Sequence, residues 1–299
     1  MWFKNLRIFQ LTQDINLDAE FVEQQLAEFS FRPCGSQELS STGWYSPFKQ
    51  GDALTHSAAG FLWLNLRKQE RLLPAAVVNT ELQEKVEKIE AETGSPVGKK
   101  QQQEFKEEII NKLLPQAFLK HGDVQGFISI EEGLIVVDTS SDTKAELFLA
   151  MLRKALGSLP VVPLANRSIS PDLTDWLAND NANEQFELLD EAELQHPGEQ
   201  ASIVKCKNQD LHAEEIQLHI EAGKEVQKIA VTWDESLSML LQEDLAVKRL
   251  KFADTVKEQN DDIPKEEKLA RMDADFVLMA GEINRLVLAM KSIFDFSRD

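Results

Sequence analysis

Pro74-Ala-Ala-Val-Val-Asn-Thr-Glu-Leu-Gln-Glu-Lys-Val-Glu-Lys-Ile89 places Val78, Leu82, Val86 and Ile89 at i, i+4, i+8 and i+11, with Glu and Lys between them. An apolar stripe at that period belongs to an amphipathic helix. Pro74 stands near its start and Gly94 just past its end, the expected start and stop signals. After Gly94-Ser-Pro-Val-Gly-Lys-Lys100 the pattern resumes with Phe105, Ile109 and Leu113, beside Ile110 and Leu114. Two helices joined by a short Gly/Pro loop make a helical hairpin. Each stripe is too narrow to be buried on two sides. The spacing therefore predicts a hairpin over 74–120 that projects from the body, its ends returning to neighbouring points.

On the N-terminal side, Trp2 to Leu11 reads as a strand, and Asp18 to Phe29 as a helix with Phe21, Val22, Leu26 and Phe29 on one face. Phe61-Leu-Trp-Leu-Asn-Leu-Arg67 has the aromatic and branched content of a buried strand, entered through the Ala58-Ala-Gly60 turn. Beyond the hairpin, 124–130 and 134–138 read as strands around a Glu131-Glu-Gly133 turn. A helix follows over 143–156, ended by Gly157, then a short extended piece over 161–164. From Asp172 to Glu199 there are nine acids and no Lys or Arg, which reads as a change of domain. Past it, strands are expected at 202–208, 225–233, 236–242 and 247–253, a helix at 213–222, and a closing helix at 273–296. Strands and helices in this mixed order make the chain α+β, with antiparallel or mixed sheets and flanking helices, rather than a doubly wound sheet.

The 299 residues carry 51 acids against 32 bases, a net charge of −19. No apolar run approaches the ~20 residues of a membrane helix. Met1 to Arg7 lacks the apolar core of a secretory signal, and two cysteines far apart suit a reducing compartment, so a soluble, cytoplasmic protein is expected. At long range such a chain repels nucleic acid. The charge is uneven, however. Bases gather at Lys205/Lys207, Lys224/Lys228 and Lys248-Arg249-Leu-Lys251, and a locally positive face is compatible with an acidic whole. Lys205 and Lys207 share a strand face, as do Lys224 and Lys228, while Lys248, Arg249 and Lys251 divide two to one. A solvated face of mixed charge is the plainer reading of the same lysines. Lys99 and Lys100, at the hairpin tip, are open to both readings.

The residues give little sign of catalysis. No Walker loop, G-x-G-x-x-G, G-x-S-x-G or H-E-x-x-H occurs, and Gly94 to Lys100 has its glycines too close for a phosphate loop. His212, Glu215 and His219 share a short helix with metal-ligand spacing, though a solvated ion pair is the plainer reading of them. Asp52 and His56 lack a nucleophile tied to them by spacing and read as a loop hydrogen bond, and Cys34 as a buried structural thiol. Phe118, after Pro115, is either core or an exposed contact on a thin projection.

Eleven fragments taken together carry a resemblance. They are Trp2-Phe-Lys-Asn-Leu6, Pro33-Cys-Gly-Ser-Gln37, Gly43-Trp44, Asp52-Ala-Leu-Thr-His56, Leu113-Leu-Pro-Gln-Ala-Phe118 and Leu156-Gly-Ser-Leu-Pro-Val-Val-Pro-Leu164, followed by Leu188-Leu-Asp-Glu-Ala-Glu-Leu194, Gln209-Asp-Leu211, His219-Ile-Glu-Ala-Gly-Lys224, Lys248-Arg-Leu-Lys-Phe252 and Asp273-Ala-Asp-Phe276. In this order, from end to end, the chain resembles the bacterial recombination-associated RdgC family.

The resemblance implies a non-enzymatic protein without cofactor or metal. It implies a ring-shaped homodimer around double-stranded DNA, with little sequence preference. It also implies nucleoid association and antagonism of RecA through occupation of its DNA. The subunit it implies has a central portion (1–73 with 121–168), the hairpin tip (74–120) inserted into it, and a C-terminal base (169–299). Phe118 matches the family's tip-contact aromatic, and Gln209 and Lys224 match polar positions of the base, with Lys207 one residue off an expected lysine. The expected DNA-contacting set is thus Lys205, Lys207, Gln209, Lys224, Lys228, Lys248, Arg249 and Lys251, with Lys99 and Lys100 a weaker contribution from the tip. Two other classes remain: an acidic inhibitor that mimics DNA through residues 172–199, and a metal-dependent hydrolase built on His212, Glu215 and His219.

Overall fold

The computed structural model describes residues 2–48, 51–198, 202–264 and 266–296; Glu199, last of the acidic stretch, lies outside them. The first half contains β1 (Arg7–Leu11), α1 (Ala19–Ala27), β2 (Ser40–Trp44), β3 (Thr55–Ala58), β4 (Phe61–Leu72), α2 (Ala75–Thr93), α3 (Lys99–Leu113), β5 (Phe118–Ser129), β6 (Leu134–Val137), α4 (Asp142–Leu156) and β7 (Val161–Pro163). Its strands form one sheet in the order β2-β4-β5-β6-β1-β7, with β3 also paired to β4. The second half contains α5 (Ser170–Asn179), β8 (Phe186–Gln195), β9 (Ile203–Lys207), α6 (Glu214–Glu221), β10 (Glu225–Trp233), β11 (Leu237–Gln242), β12 (Val247–Phe252), α7 (Asp254–Lys257) and α8 (Lys268–Ile293). Its sheet runs β12-β11-β10-β8-β9. The named strands pair antiparallel throughout, so the fold is α+β without a mixed sheet.

The first sheet is covered on both faces. Leu62, Leu64 and Leu66 alternate with Trp63 on β4, and the two sets enter different clusters. The leucines join Val22 and Leu26 of α1 and Phe148 and Leu152 of α4. Trp63 stacks on Phe276 of α8, centroids 4.9 Å apart and planes 10° from parallel. The same apolar cluster continues from α8 to Ile229, Trp233 and Leu241 of the second sheet, so α8 contributes to a core shared by the two sheets. A strand apolar on both sides loses its alternation, which explains the unbroken Phe61–Leu66 run apart from Asn65.

The hairpin occurs as the periodicity predicts. α2 buries only Val78 and α3 only Ile109, and Gly94 closes α2 in the left-handed region at φ 66°. The pairing of Leu72 with Phe118 brings its ends together. Several boundaries differ from the sequence reading. β5 starts at Phe118 rather than 124, because pairing to β4 extends the strand through exposed residues with no alternating pattern. The N-terminal strand begins only at Arg7; Leu6 instead bridges to Val247 and ties the chain start to β12. Polar β2 and β3 were not legible, being sheltered edge pairs of β4. The closing helix starts five residues early, at Lys268.

The acidic stretch is no mere boundary: it supplies α5 and β8, the latter an interior strand between β10 and β9. Among the described residues, no helix is long and apolar enough to cross a membrane.

Candidate nucleic-acid interface

The second sheet buries one face, through Ala192, Leu194, Cys206, Val231, Met239 and Val247 among others. Alternation then turns Glu191 and Glu193 of β8, Lys205 and Lys207 of β9, and Lys228 of β10 outward. Register aligns them in rows: Glu193 opposes both Lys205 and Lys228, and Glu191 opposes Lys207. Glu193 pairs with Lys228 at 2.7 Å and Lys205 at 3.1 Å. Glu191 pairs with Arg249 at 2.9 Å and Lys207 at 3.8 Å. Lys248 completes the lining of the shallow basin between them. Five cations thus surround two carboxylates, and the basin carries a net positive charge on a strongly acidic protein.

A bulge makes the arrangement possible. Between Ser238 and Leu240 of β11 the register to β12 shifts, and Arg249 takes a φ of 54°. The extra residue resets the alternation, so Val247, Leu250 and Phe252 are all buried while Lys248, Arg249 and Lys251 all reach solvent. The expected two-to-one division of these cations is corrected accordingly. Strict alternation would have aimed at least one charged residue at the core.

Lys224 and Lys228 do not share a strand face either. Lys224 precedes β10, its backbone N–H donates to the His219 carbonyl after α6, and a bulge separates Val226 from Lys228. Gln209 lies beyond β9, where its amide donates to Glu215. Lys99 and Lys100 are exposed at the first turn of α3. None of these four lines the basin. Lys251 opens instead onto a separate cleft with Trp2 and Lys4.

Burial opposes the charge on Glu193, but hydrogen bonds from Lys228 and Lys205 outweigh it and hold the carboxyl below its ordinary range. Behind the basin, burial raises the Cys206 thiol, with the Glu215 carboxylate adding to the effect, so it rests as a neutral core group. Cys34 is buried as expected and donates to the Glu38 carbonyl. His56 does not pair with Asp52: its Nε2 meets Asp273 of α8 at 2.6 Å, where Phe276 and Phe48 flank the ring. The long-range partner wins because β3 packs its histidine toward α8. Glu215 is engaged by Gln209, and His212 lies 3.9 Å from Asp180. No three His, Cys, Asp or Glu side chains converge to hold a metal among the described residues. Glu191 and Glu193 were missed as site residues. Their signal was the period-2 Glu191-Ala-Glu-Leu194, hidden within an acid-rich stretch.

Asp172 is held by Arg167, and Asp175 accepts from Asn179 and Asn181. With Glu191 and Glu193 in the basin, four of the nine acids are thus engaged by neighbouring donors. The molecule is therefore an α+β protein whose second sheet carries a basin of net positive charge, a feature suited to holding anions by Coulomb attraction.

Comparison with known proteins gives the family. The family described as "Putative exonuclease, RdgC" matches residues 1–296. A protein of Pseudoalteromonas atlantica named recombination-associated protein RdgC is 61% identical over 299 residues, covering 100% of this chain and 99% of that one. Proteins with the same name from Sodalis glossinidius and Yersinia pestis are 46% and 44% identical over 289 residues, covering 96% of this chain and 95% of each. The chain belongs to the RdgC family. The family description speaks of an exonuclease; the names of these relatives speak of recombination.

Proposed function

We propose that this protein acts in recombination by binding double-stranded DNA without sequence preference, encircling it as a ring-shaped homodimer and limiting the access of RecA. The observation that carries the reading is the basin: Lys205, Lys207, Lys228, Lys248 and Arg249 around Glu191 and Glu193, on a chain of charge −19. Lysine ammonium groups reach phosphates as point charges and read no base edge, which suits binding to any sequence. The two carboxylates keep the cations together against their mutual repulsion, and an acidic exterior suppresses binding elsewhere on the molecule.

In this reading 1–73 with 121–168 form the centre, 74–120 the tip and 169–299 the base. Phe118 closes the ring between tips. The protein works in the cytoplasm on the nucleoid. Retention is topological, so individually weak phosphate contacts give long residence.

The test is a titration of linear and circular duplex over a salt series, with mass determination in solution. A dimer should dissociate from closed circles far more slowly than from linear fragments. Lys248→Gln should lower the salt slope by roughly 0.9, the loss of one phosphate contact, on every sequence alike. A monomer, or equal escape from circles and linear fragments, would sink the ring. An unchanged slope removes Lys248 from the interface. Loss of end-labelled duplex in the presence of Mg²⁺ would instead favour the nuclease named in the family description.

A further inference from the structure

We infer that the cleft at the outer end of β12 is a stacking site for an unpaired base of single-stranded DNA, an extension of the duplex-binding face proposed above. The cleft, about 550 Å³, has Trp2 and Phe252 in its lining together with Lys4, Lys251 and Lys257 and the two carboxylates Glu235 and Asp254. Trp2 lies against Phe252, centroids 4.6 Å apart at 53°. The indole is only partly covered, whereas Trp44, Trp63, Trp176 and Trp233 are all buried.

An aromatic platform beside cations is what a splayed nucleotide requires, because any base offers a π-face and its flanking phosphates offer charge. Lys257 is partly neutralised by Asp254 at 3.6 Å. Lys251 has no carboxylate within ion-pairing distance among the described residues, and Lys4 makes no close ion pair although its charge acts on Asp138, so Lys251 is the freer of the two ammonium groups open to phosphate. The platform is held in place: the N–H groups of Lys4 and Asn5 donate to Asp138, and the Leu250 N–H donates to the Lys4 carbonyl. Continuity supports the assignment. Lys248 and Arg249 of the basin and Lys251 of the cleft follow one another on the same strand, roughly 10 Å apart along it. A strand leaving the basin therefore meets the cleft within one or two phosphates.

The inference rests on the proposed DNA-binding reading and is tested beside it. Oligothymidylate about 12 nucleotides long should quench tryptophan fluorescence on binding, since Trp2 is the least buried indole. Trp2→Leu should abolish the quench and weaken single-strand binding roughly tenfold, leaving duplex binding unchanged. Trp2→Phe should lose the quench but retain most of the affinity. Lys251→Gln, which leaves the core untouched, should lower the single-strand salt slope by about 0.7. Thymidine monophosphate should compete only at far higher concentration; competition at equal concentration would reassign the site to free nucleotides. Wild-type single-strand affinity and slope in both Trp2→Leu and Lys251→Gln would overturn the site while leaving the duplex reading intact. Absence of duplex binding by the unaltered protein would overturn the broader reading first.

Discussion

Glu193 shows how a carboxylate can serve a positive surface. Its folded-state pKa is depressed below the ordinary 4.5 because the two lysine hydrogen bonds outweigh burial. A depressed carboxyl adds stability in full above its unfolded value and loses it as pH falls through the folded one, so the pairs stay intact from neutrality down to about pH 5. Glu193→Gln should release Lys205 and Lys228 to phosphate. The expected outcome is tighter duplex binding at neutral pH with a salt slope steeper by up to about one, and a stability loss near 1 kcal/mol. Anisotropy titrations and thermal melting measure both. Weaker binding in this variant would mean that the carboxylate positions the lysines more than it masks them. Other residues of the family fragments serve packing alone: at Gly43 a Cβ would stand 2.6 Å from the Phe31 backbone, so only glycine lets that segment pass.

Among the elements, α8 and β12 diverge most from what periodicity conveys. The apolar repeat of α8 was plain in the sequence, but which sheet it met was not; it packs on both. Phe276 is fully buried against Trp63 and Phe127. Phe276→Ala should cost about 3–5 kcal/mol, read as a lower denaturation midpoint. A loss under about 1 kcal/mol would show the two sheets to be energetically independent. β12 was legible as a strand, yet its bulge was not, because alternation carries no mark of one inserted residue. The bulge decides the site, since it turns all three cations of Lys248-Arg-Leu-Lys251 outward.

At the scale of the whole molecule, the hairpin and the basin are separate devices. Phe118 is 84% exposed where β5 leaves the hairpin, beside half-exposed Leu72 and Leu119. A large apolar patch on a projection is a liability to a monomer and an asset to an interface. Phe118→Ser should weaken dimer closure and speed loss from circular DNA with the fold retained. Sedimentation, dissociation kinetics and circular dichroism check the three parts. A destabilised fold would be inconsistent with so exposed a ring, and an unaltered dimer would remove Phe118 from the interface.

The sequence alone determined the helical hairpin, the α+β class, most of the strands and the clustering of bases, because helix periodicity, turn residues and charge are local properties of a chain. It also carried the family, through fragments spread from Trp2 to Phe276. Only the tertiary structure decided that Glu191 and Glu193 stand among the cations, that Gln209 and Lys224 do not, that His56 meets Asp273, and that Trp2 and Lys251 share a cleft. Those outcomes depend on strand register, bulges and contacts between residues as much as about 250 positions apart, and register is set by the core that forms across sheets rather than by any neighbouring residue.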